Sequence, residues 1–221
     1  MNKFQSLCIG AILGILPLSV ATKPAAAINI VQNGGFEQPD IPTGTFKIQN
    51  PIPGTWTLTP DSDPNAGIEV QDNVAGSPYE GNQFVELDGT AVSGIYQDLT
   101  TVVGQAYTLS FAFSPSPDVA DNRLNVYWGG NLVDNLFASG VGKTNTDWKT
   151  YAYNLIATST TTRLRFDNLD ELSDGLGPYI DDVSVTPVPE PLTMGGLTIG
   201  LGFGAFLKNR YGKKNEQIKK A

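Results

Sequence analysis

Residues 107–113 read Tyr-Thr-Leu-Ser-Phe-Ala-Phe. Tyr107, Leu109, Phe111 and Phe113 alternate with Thr108, Ser110 and Ala112, the period of two that gives a β-strand one apolar and one polar face. Four large side chains on one face need a partner layer to cover them. The same alternation recurs downstream. Leu124, Val126 and Trp128 alternate with Arg123, Asn125 and Tyr127, and Trp-Gly-Gly-Asn at 128–131 supplies a hairpin turn, since paired glycines accept positive φ at little cost. Tyr151, Tyr153 and Leu155 form an apolar stripe, Leu164 and Phe166 another, and Ile180 to Thr186 a closing strand with Val183 and Val185 turned inward. Upstream, Ile28 to Val31, Trp56 to Thr59, Ile68 to Gln71, Phe84 to Leu87 and Gly94 to Leu99 are short runs separated by Gly, Pro, Asn and Asp. Pro42 to Pro53 is a proline-punctuated excursion around Phe46 and Ile48. No stretch of this region has helical periodicity and no internal repeat is present. About ten short strands with regularly spaced turns predict an all-β, antiparallel jelly-roll β-sandwich over residues 28–187.

Composition narrows the chemistry. The chain has 221 residues and a formal net charge of −8. The division is uneven: residues 28–187 hold 20 Asp and Glu against 6 Lys and Arg, a net charge of −14, whereas the stretch from Lys208 to the end carries 6 basic residues and one acid. So acidic a domain repels phosphate backbones, which argues against nucleic-acid binding. The chain has no histidine, and its single cysteine, Cys8, lies in the amino-terminal segment. A disulfide framework, a thiol nucleophile and a Ser-His-Asp arrangement are therefore excluded from the domain. Carboxylate pairs such as Glu86 with Asp88, or Asp181 with Asp182, could in principle hydrolyse glycosides. Twenty acids generate such pairs by chance, and adjacent strand residues face opposite ways. The domain reads as non-catalytic. Asp61 and Asp63 have part of the spacing of a calcium loop without its continuation, and read better as Asx turns beside proline.

The ends carry targeting information. Lys3, the apolar run Leu7 to Val20 and Ala25-Ala26-Ala27 read as a secretory signal peptide over residues 1–27. At the other end, residues 188–191 are Val-Pro-Glu-Pro, residues 192–207 carry no charge, and residues 208–221 are basic. The uncharged run spans about 24 Å as a helix, slightly less than a hydrocarbon core of roughly 30 Å. Basic residues after it favour a cytoplasmic tail by the positive-inside rule, so a transmembrane helix is expected at 192–207. Pro189, Glu190 and Pro191, followed by this short Gly-rich span and basic end, resemble the PEP-CTERM sorting signal of exported bacterial proteins. The resemblance implies that an exosortase recognises the motif, cuts near it and delivers the domain from the inner membrane to the cell surface or extracellular matrix.

Two stretches carry a second resemblance. Asn33 to Pro39, NGGFEQP, and Tyr179 to Pro187, YIDDVSVTP, are similar to the opening and closing strands of the galactose-binding-like β-sandwich found in many carbohydrate-binding modules. In that fold the chain ends pair, and many members hold a structural Ca²⁺ there. The resemblance assigns Glu37 and Asp181 as side-chain ligands, with main-chain carbonyls near Gly35 as further ligands. Strand parity places Asp181 on the inward face with Val183 and Val185, where an uncompensated carboxylate is costly. The competing reading has Asp181 accept backbone N–H groups and Glu37 sit in a solvated turn. Glycan binding is the expected function: sugar C–H faces stack on aromatic rings while Asn, Asp and Arg bind hydroxyls. The candidate contacts are Tyr127, Trp56 and Tyr79 with Arg123 or Arg165, and the candidate partner is an extracellular polysaccharide. A structural or adhesive matrix role without a small ligand is the alternative.

Overall fold

The computed structural model describes residues 27–189. The expected signal peptide, residues Glu190 and Pro191 of the sorting motif, the apolar span and the basic tail lie outside the described residues. Eleven strands follow in order: β1 (Thr45–Gln49), β2 (Thr57–Leu58), β3 (Ile68–Asp72), β4 (Phe84–Glu86), β5 (Gly94–Thr100), β6 (Ala106–Ser114), β7 (Asn122–Trp128), β8 (Asn131–Ala138), β9 (Lys149–Ile156), β10 (Thr161–Asn168) and β11 (Tyr179–Pro187). They form two antiparallel sheets, one six-stranded in the order β1-β3-β4-β11-β6-β9 and one five-stranded in the order β2-β5-β10-β7-β8. The expected all-β, two-sheet sandwich is what the chain forms.

The apolar faces read from the sequence meet between the sheets. Leu109, Phe111 and Phe113 from β6 and Val183 and Val185 from β11 pack against Leu124 and Val126 from β7 and Leu164 and Phe166 from β10, all buried. Phe111 meets Phe166 edge to face across this core at 5.0 Å. The Gly129-Gly130 turn joining β7 to β8 has φ of 56° and 85°, as the sequence predicted.

Three details depart from expectation. Ile28 to Val31 forms no strand; it is an irregular extended segment lying along β11, held by Ile30 N–H to the Val185 carbonyl at 2.9 Å and by Asn29 Oδ1 accepting Val185 N–H at 2.9 Å. The close approach continues at Gly34, where a Cβ would collide with the Val183 carbonyl oxygen, so only glycine fits. Second, the excursion from Pro42 to Pro53 contains a true edge strand, β1. Third, a bulge interrupts β11 between Asp181 and Ser184, with Asp182 at φ 48°. The extra residue shifts the phase: Asp181 lies opposite Ala112 and Ser184 opposite Ser110, both on the outer side of β6. Asp181 therefore does not share the inward face of Val183 and Val185. It is nevertheless fully buried, because a loop covers it from outside.

That outer side of the six-stranded sheet is itself partly closed over. Phe84 packs at a tilt against Tyr179 at 5.0 Å and meets Trp148 edge to face at 5.6 Å, with Tyr79 beyond. Beneath this cover Glu69 and Glu86 are register partners, both buried. Glu86 accepts Gly177 N–H at 2.8 Å and Gln71 Nε2–H at 2.6 Å. Burial, reinforced by Glu69 and Asp88, pushes the Glu86 carboxyl up to about 8, and burial pushes Glu69 up to about 7, from an ordinary 4.5. A carboxyl whose pKa is raised by folding contributes stability that is complete below its unfolded pKa and is lost as pH climbs through the folded value. Thermal stability is therefore expected to fall between about pH 5 and pH 8, by on the order of a few kcal/mol at about 1.4 kcal/mol per unit. Melts across this range should show the decline and should show it flattened in Glu86→Gln; a flat profile in the unsubstituted protein would contradict the burial argument.

Candidate functional site

The outer face of the five-stranded sheet combines aromatic rings with fixed polar groups. Strand pairing sets the pattern. Arg165 on β10 lies opposite Tyr96 on β5 and Tyr127 on β7, so the three share one row across the sheet. Arg163 lies opposite Asp98 in the next row, and Asp167 opposite Asn125 in the row on the other side. Residues two apart on β10 thus turn Arg163, Arg165 and Asp167 to the same face, while Leu164 and Phe166 fill the core.

Each guanidinium is held in place. Arg163 donates Nε–H and Nη2–H to the two oxygens of Asp98 at 2.7 and 2.8 Å, and its guanidinium lies 3.7 Å above the Tyr96 ring centre. Arg165 donates Nε–H to Asp167 at 2.6 and 2.8 Å and Nη2–H to Asp61 at 2.6 Å, with its guanidinium 5.5 Å from the Tyr127 ring centre. Hydrogen bonds to Arg165 hold the Asp61 carboxyl below its usual range, and hydrogen bonds to Arg163 do the same for Asp98. Asp167 moves the other way: its burial outweighs the pairing with Arg165. Tyr127 is oriented at its far end by Asn125 Nδ2–H, 2.9 Å from the hydroxyl, and Asn135 Nδ2–H donates in turn to Asn125 Oδ1 at 2.6 Å. A cavity of about 320 Å³ opens beside this row, lined by Thr59, Asp61, Tyr127, Arg165, Asp167 and Leu169 among others.

Of the residues singled out from sequence, Tyr127, Arg165 and Arg123 stand on this face. Arg123 is at the other end of β7, its Nε–H donated to Asp121 at 2.7 Å and a second nitrogen 3.7 Å from Glu171. Trp56 must be withdrawn as a contact residue. It is fully buried between Phe36 at 5.5 Å and Phe166 at 6.1 Å, and donates its indole N–H to the Asn33 carbonyl at 3.1 Å. Tyr79 is exposed but belongs to the cover of the opposite sheet, beside Trp148. Sequence reasoning missed Tyr96, Arg163 and Asp98. The outward parity of β5 was available as a signal, but the Arg163–Asp98 and Arg165–Asp61 pairs span 65 and 104 positions and become visible only once β10 lies against β5. Asp63 makes the expected Asx turn, accepting Asn65 N–H at 2.7 Å.

Gly35 lies beside both side chains named for calcium. A Cβ on Gly35 would lie 3.8 Å from Glu37 Cγ and 3.9 Å from Asp181 Oδ1. Much of their oxygen capacity is already used: Asp181 Oδ2 accepts Tyr79 and Glu80 N–H at 2.8 and 3.0 Å, its Oδ1 accepts Asp182 N–H, and Glu37 Oε1 accepts Asn82 and Gln83 N–H at 2.8 and 3.0 Å. Among the described residues no donor is bonded to Glu37 Oε2. Hard carboxylate oxygens suit calcium. Among the described residues no group of three or more acidic, histidine or cysteine side chains gathers tightly enough to hold a metal ion, so an ion here would lean on main-chain carbonyls.

Comparison with known proteins adds the following. The chain is 28% identical over 181 residues to the Arabidopsis thaliana protein DUF642 L-GALACTONO-1,4-LACTONE-RESPONSIVE GENE 2, over 74% of this chain and 47% of that protein. It is 27% identical over 180 residues to halomucin of Haloquadratum walsbyi, over 78% of this chain and 2% of that protein. The chain thus spans less than half the length of these relatives. Similar solved structures include TmCBM61 in complex with β-1,4-galactotriose, at 20% identity and a TM-score of 0.46 over 73% of this chain and all of that one. Another is a family 35 carbohydrate-binding module from Clostridium thermocellum, at 15% identity and a TM-score of 0.41 over 64% of this chain and 97% of that one. The family model described as "Protein of unknown function (DUF642)" matches residues 29–186, the whole β-sandwich. The chain belongs to the DUF642 family.

Proposed function

We propose that the domain is a non-catalytic, extracellular glycan-binding module whose contact surface is the outer face of the five-stranded sheet. The observation that carries this reading is the row Tyr96, Arg165, Tyr127, in which two aromatic rings flank a guanidinium fixed by carboxylates. The Tyr127 ring, unlike that of Tyr96, which Arg163 covers, offers a flat apolar surface to the C–H face of a pyranose. An arginine already held by carboxylates, as Arg165 is by Asp61 and Asp167 and Arg163 by Asp98, loses little freedom on binding a hydroxyl, which lowers the cost of association. Asp61, Asp98 and Asp167 outnumber Arg163 and Arg165 here, so the face suits a neutral sugar better than an acidic one. Calorimetry of the purified protein with neutral oligosaccharides, β-1,4-galactotriose among them, is expected to detect binding that weakens at least about tenfold in Tyr127→Ala, equivalent to ~1.4 kcal/mol. Absence of binding across a panel of neutral glycans would sink this reading in favour of a structural or adhesive matrix role.

We further propose that Glu37, Asp181 and main-chain carbonyls near Gly35 hold a structural Ca²⁺. Its chemistry would be purely electrostatic, compensating carboxylates that folding brings together at the start of β11. Saturating Ca²⁺ at a hundred times its dissociation constant would add ~2.7 kcal/mol if it binds the folded state alone. Melts with calcium and with chelator read this directly, and coincident melts would return both carboxylates to their main-chain hydrogen bonds.

Delivery by exosortase through Pro189, Glu190 and Pro191 fits the way the chain leaves the domain. Val188 N–H is bound to the Ala106 carbonyl at 2.9 Å, Gln105 Nε2–H donates to the Val188 carbonyl at 2.7 Å, and Pro189 is exposed. The sandwich ends firmly at Val188, and Pro189, the first residue of the motif, is exposed. Intact mass of the surface form should end near residues 189–191; a mass extending to Ala221 would mean a permanent anchor.

A further inference from the structure

The row Tyr96, Arg165, Tyr127 is not the only ordered row on the outer face of the five-stranded sheet. Toward the start of β7, Asn125 stands between Asp167 on β10 and Asn135 on β8, and Arg123 is the register partner of Phe137 on β8. Leu169 closes that last row from the other side. Its N–H bonds the Arg123 carbonyl at 3.1 Å, and it lines the same cavity as Tyr127, Arg165 and Asp167. Alternation turns Arg123, Asn125 and Tyr127 outward while Leu124 and Val126 fill the core. On β8, Phe137 is outward with Arg123, and its neighbour Leu136 is buried.

Phe137 is 62% exposed. A lone apolar side chain on a surface needs no explanation. This ring, however, shares its face with Leu169 and with Leu132, the register partner of Tyr127, both exposed. Tyr127 and Arg123 are four residues apart, so at about 3.4 Å per residue the positions of Tyr127 and Phe137 lie ~14 Å from each other along the strands. One sugar ring cannot touch both. The ground between them is polar and held in place: Asn125 Nδ2–H donates to the Tyr127 hydroxyl at 2.9 Å, and Asn135 Nδ2–H donates to Asn125 Oδ1 at 2.6 Å. Asn135 is itself exposed, which leaves its amide within reach of a ligand. Arg123, Arg163 and Arg165 are matched against five carboxylates, those of Asp61, Asp98, Asp121, Asp167 and Glu171. The whole face therefore disfavours an anionic ligand.

We propose that this face binds an extended stretch of a linear, neutral polysaccharide laid along β7 and β8, with one sugar ring on Tyr127, a second on Phe137 and hydroxyls of the units between them on Asn135. The inference rests on the glycan-binding reading of the Tyr127 row and adds to it a second stacking position and a minimum ligand length. A disaccharide reaches one ring; a longer chain reaches both, and linking the two contacts in one ligand raises its affinity without a second loss of translational freedom.

Calorimetric titration of the purified protein with disaccharides and hexasaccharides of β-1,4-linked galactose, mannose and glucose tests the proposal. In at least one series the hexasaccharide should bind at least about tenfold tighter than the disaccharide, and a disaccharide too weak to register counts as such a gain. Phe137→Ala should remove the gain, bringing the hexasaccharide to about the affinity of the disaccharide, whereas Phe137→Trp should keep it. Tyr127→Ala should weaken both lengths. Phe137 is exposed, and unchanged melting temperatures will show that its variants fold. Equal affinity for the two lengths in the unsubstituted protein, or a gain that survives Phe137→Ala, overturns the extended site and leaves binding at Tyr127 standing. Absence of binding by every ligand overturns the reading on which the site rests, and the site with it.

Discussion

The carboxylate of Asp181 joins segments that lie far apart in the chain. Its oxygens accept the N–H groups of Tyr79 and Glu80, 102 and 101 positions earlier, and of its own neighbour Asp182. It reaches them because the β11 bulge turns it to the outer side of the six-stranded sheet, while Val183 and Val185 remain in the core. The loop so captured reaches Glu37 through Asn82 and Gln83, and Gln83 in turn accepts Ile41 N–H and donates to the Phe36 carbonyl. Removing one such acceptor strands buried N–H donors at about 1–3 kcal/mol each. A single register irregularity thus organises one whole side of the sandwich, including the aromatic cover over Phe84.

Most of the architecture was legible because the strands that form the core advertise themselves. In β6 and β7 every second side chain is large and apolar, and those are the ones that meet between the sheets. The parity argument failed at β11 for a physical reason: alternation holds only while the backbone keeps its pleat, and one inserted residue reverses it. No feature of Tyr-Ile-Asp-Asp-Val announces that insertion, although an Asp at positive φ is one of the few non-glycine residues to tolerate it. The weak edge strands β1 and β8 escaped notice because most of their side chains face water and neither adds a full apolar face to the core.

The site was legible only in fragments. Tyr127 could be placed on an outward face from β7 alone, since its neighbours Val126 and Trp128 claim the core. Trp56 could not be assigned in the same way: it precedes a strand of two residues, too short for a face to be defined, and the space between Phe36 and Phe166 decides its position. The partners that fix Arg163 and Arg165 come from β5 and from the loop after β2. Electrostatic order on this surface is a property of the sheet, created when distant strands are laid side by side.

The bonding of β11 also fixes how the domain would respond to mechanical load. The last strand lies inside the six-stranded sheet, paired with β4 and β6, and the extended segment at residues 29–34 adds main-chain bonds along its outer half. Tension applied through Val188 acts along the strand axis, so the ladder bonds are strained together, in shear, instead of parting one after another as at a peeled edge. Anything attached beyond Pro189 would pull on a strand that is bonded along both of its edges.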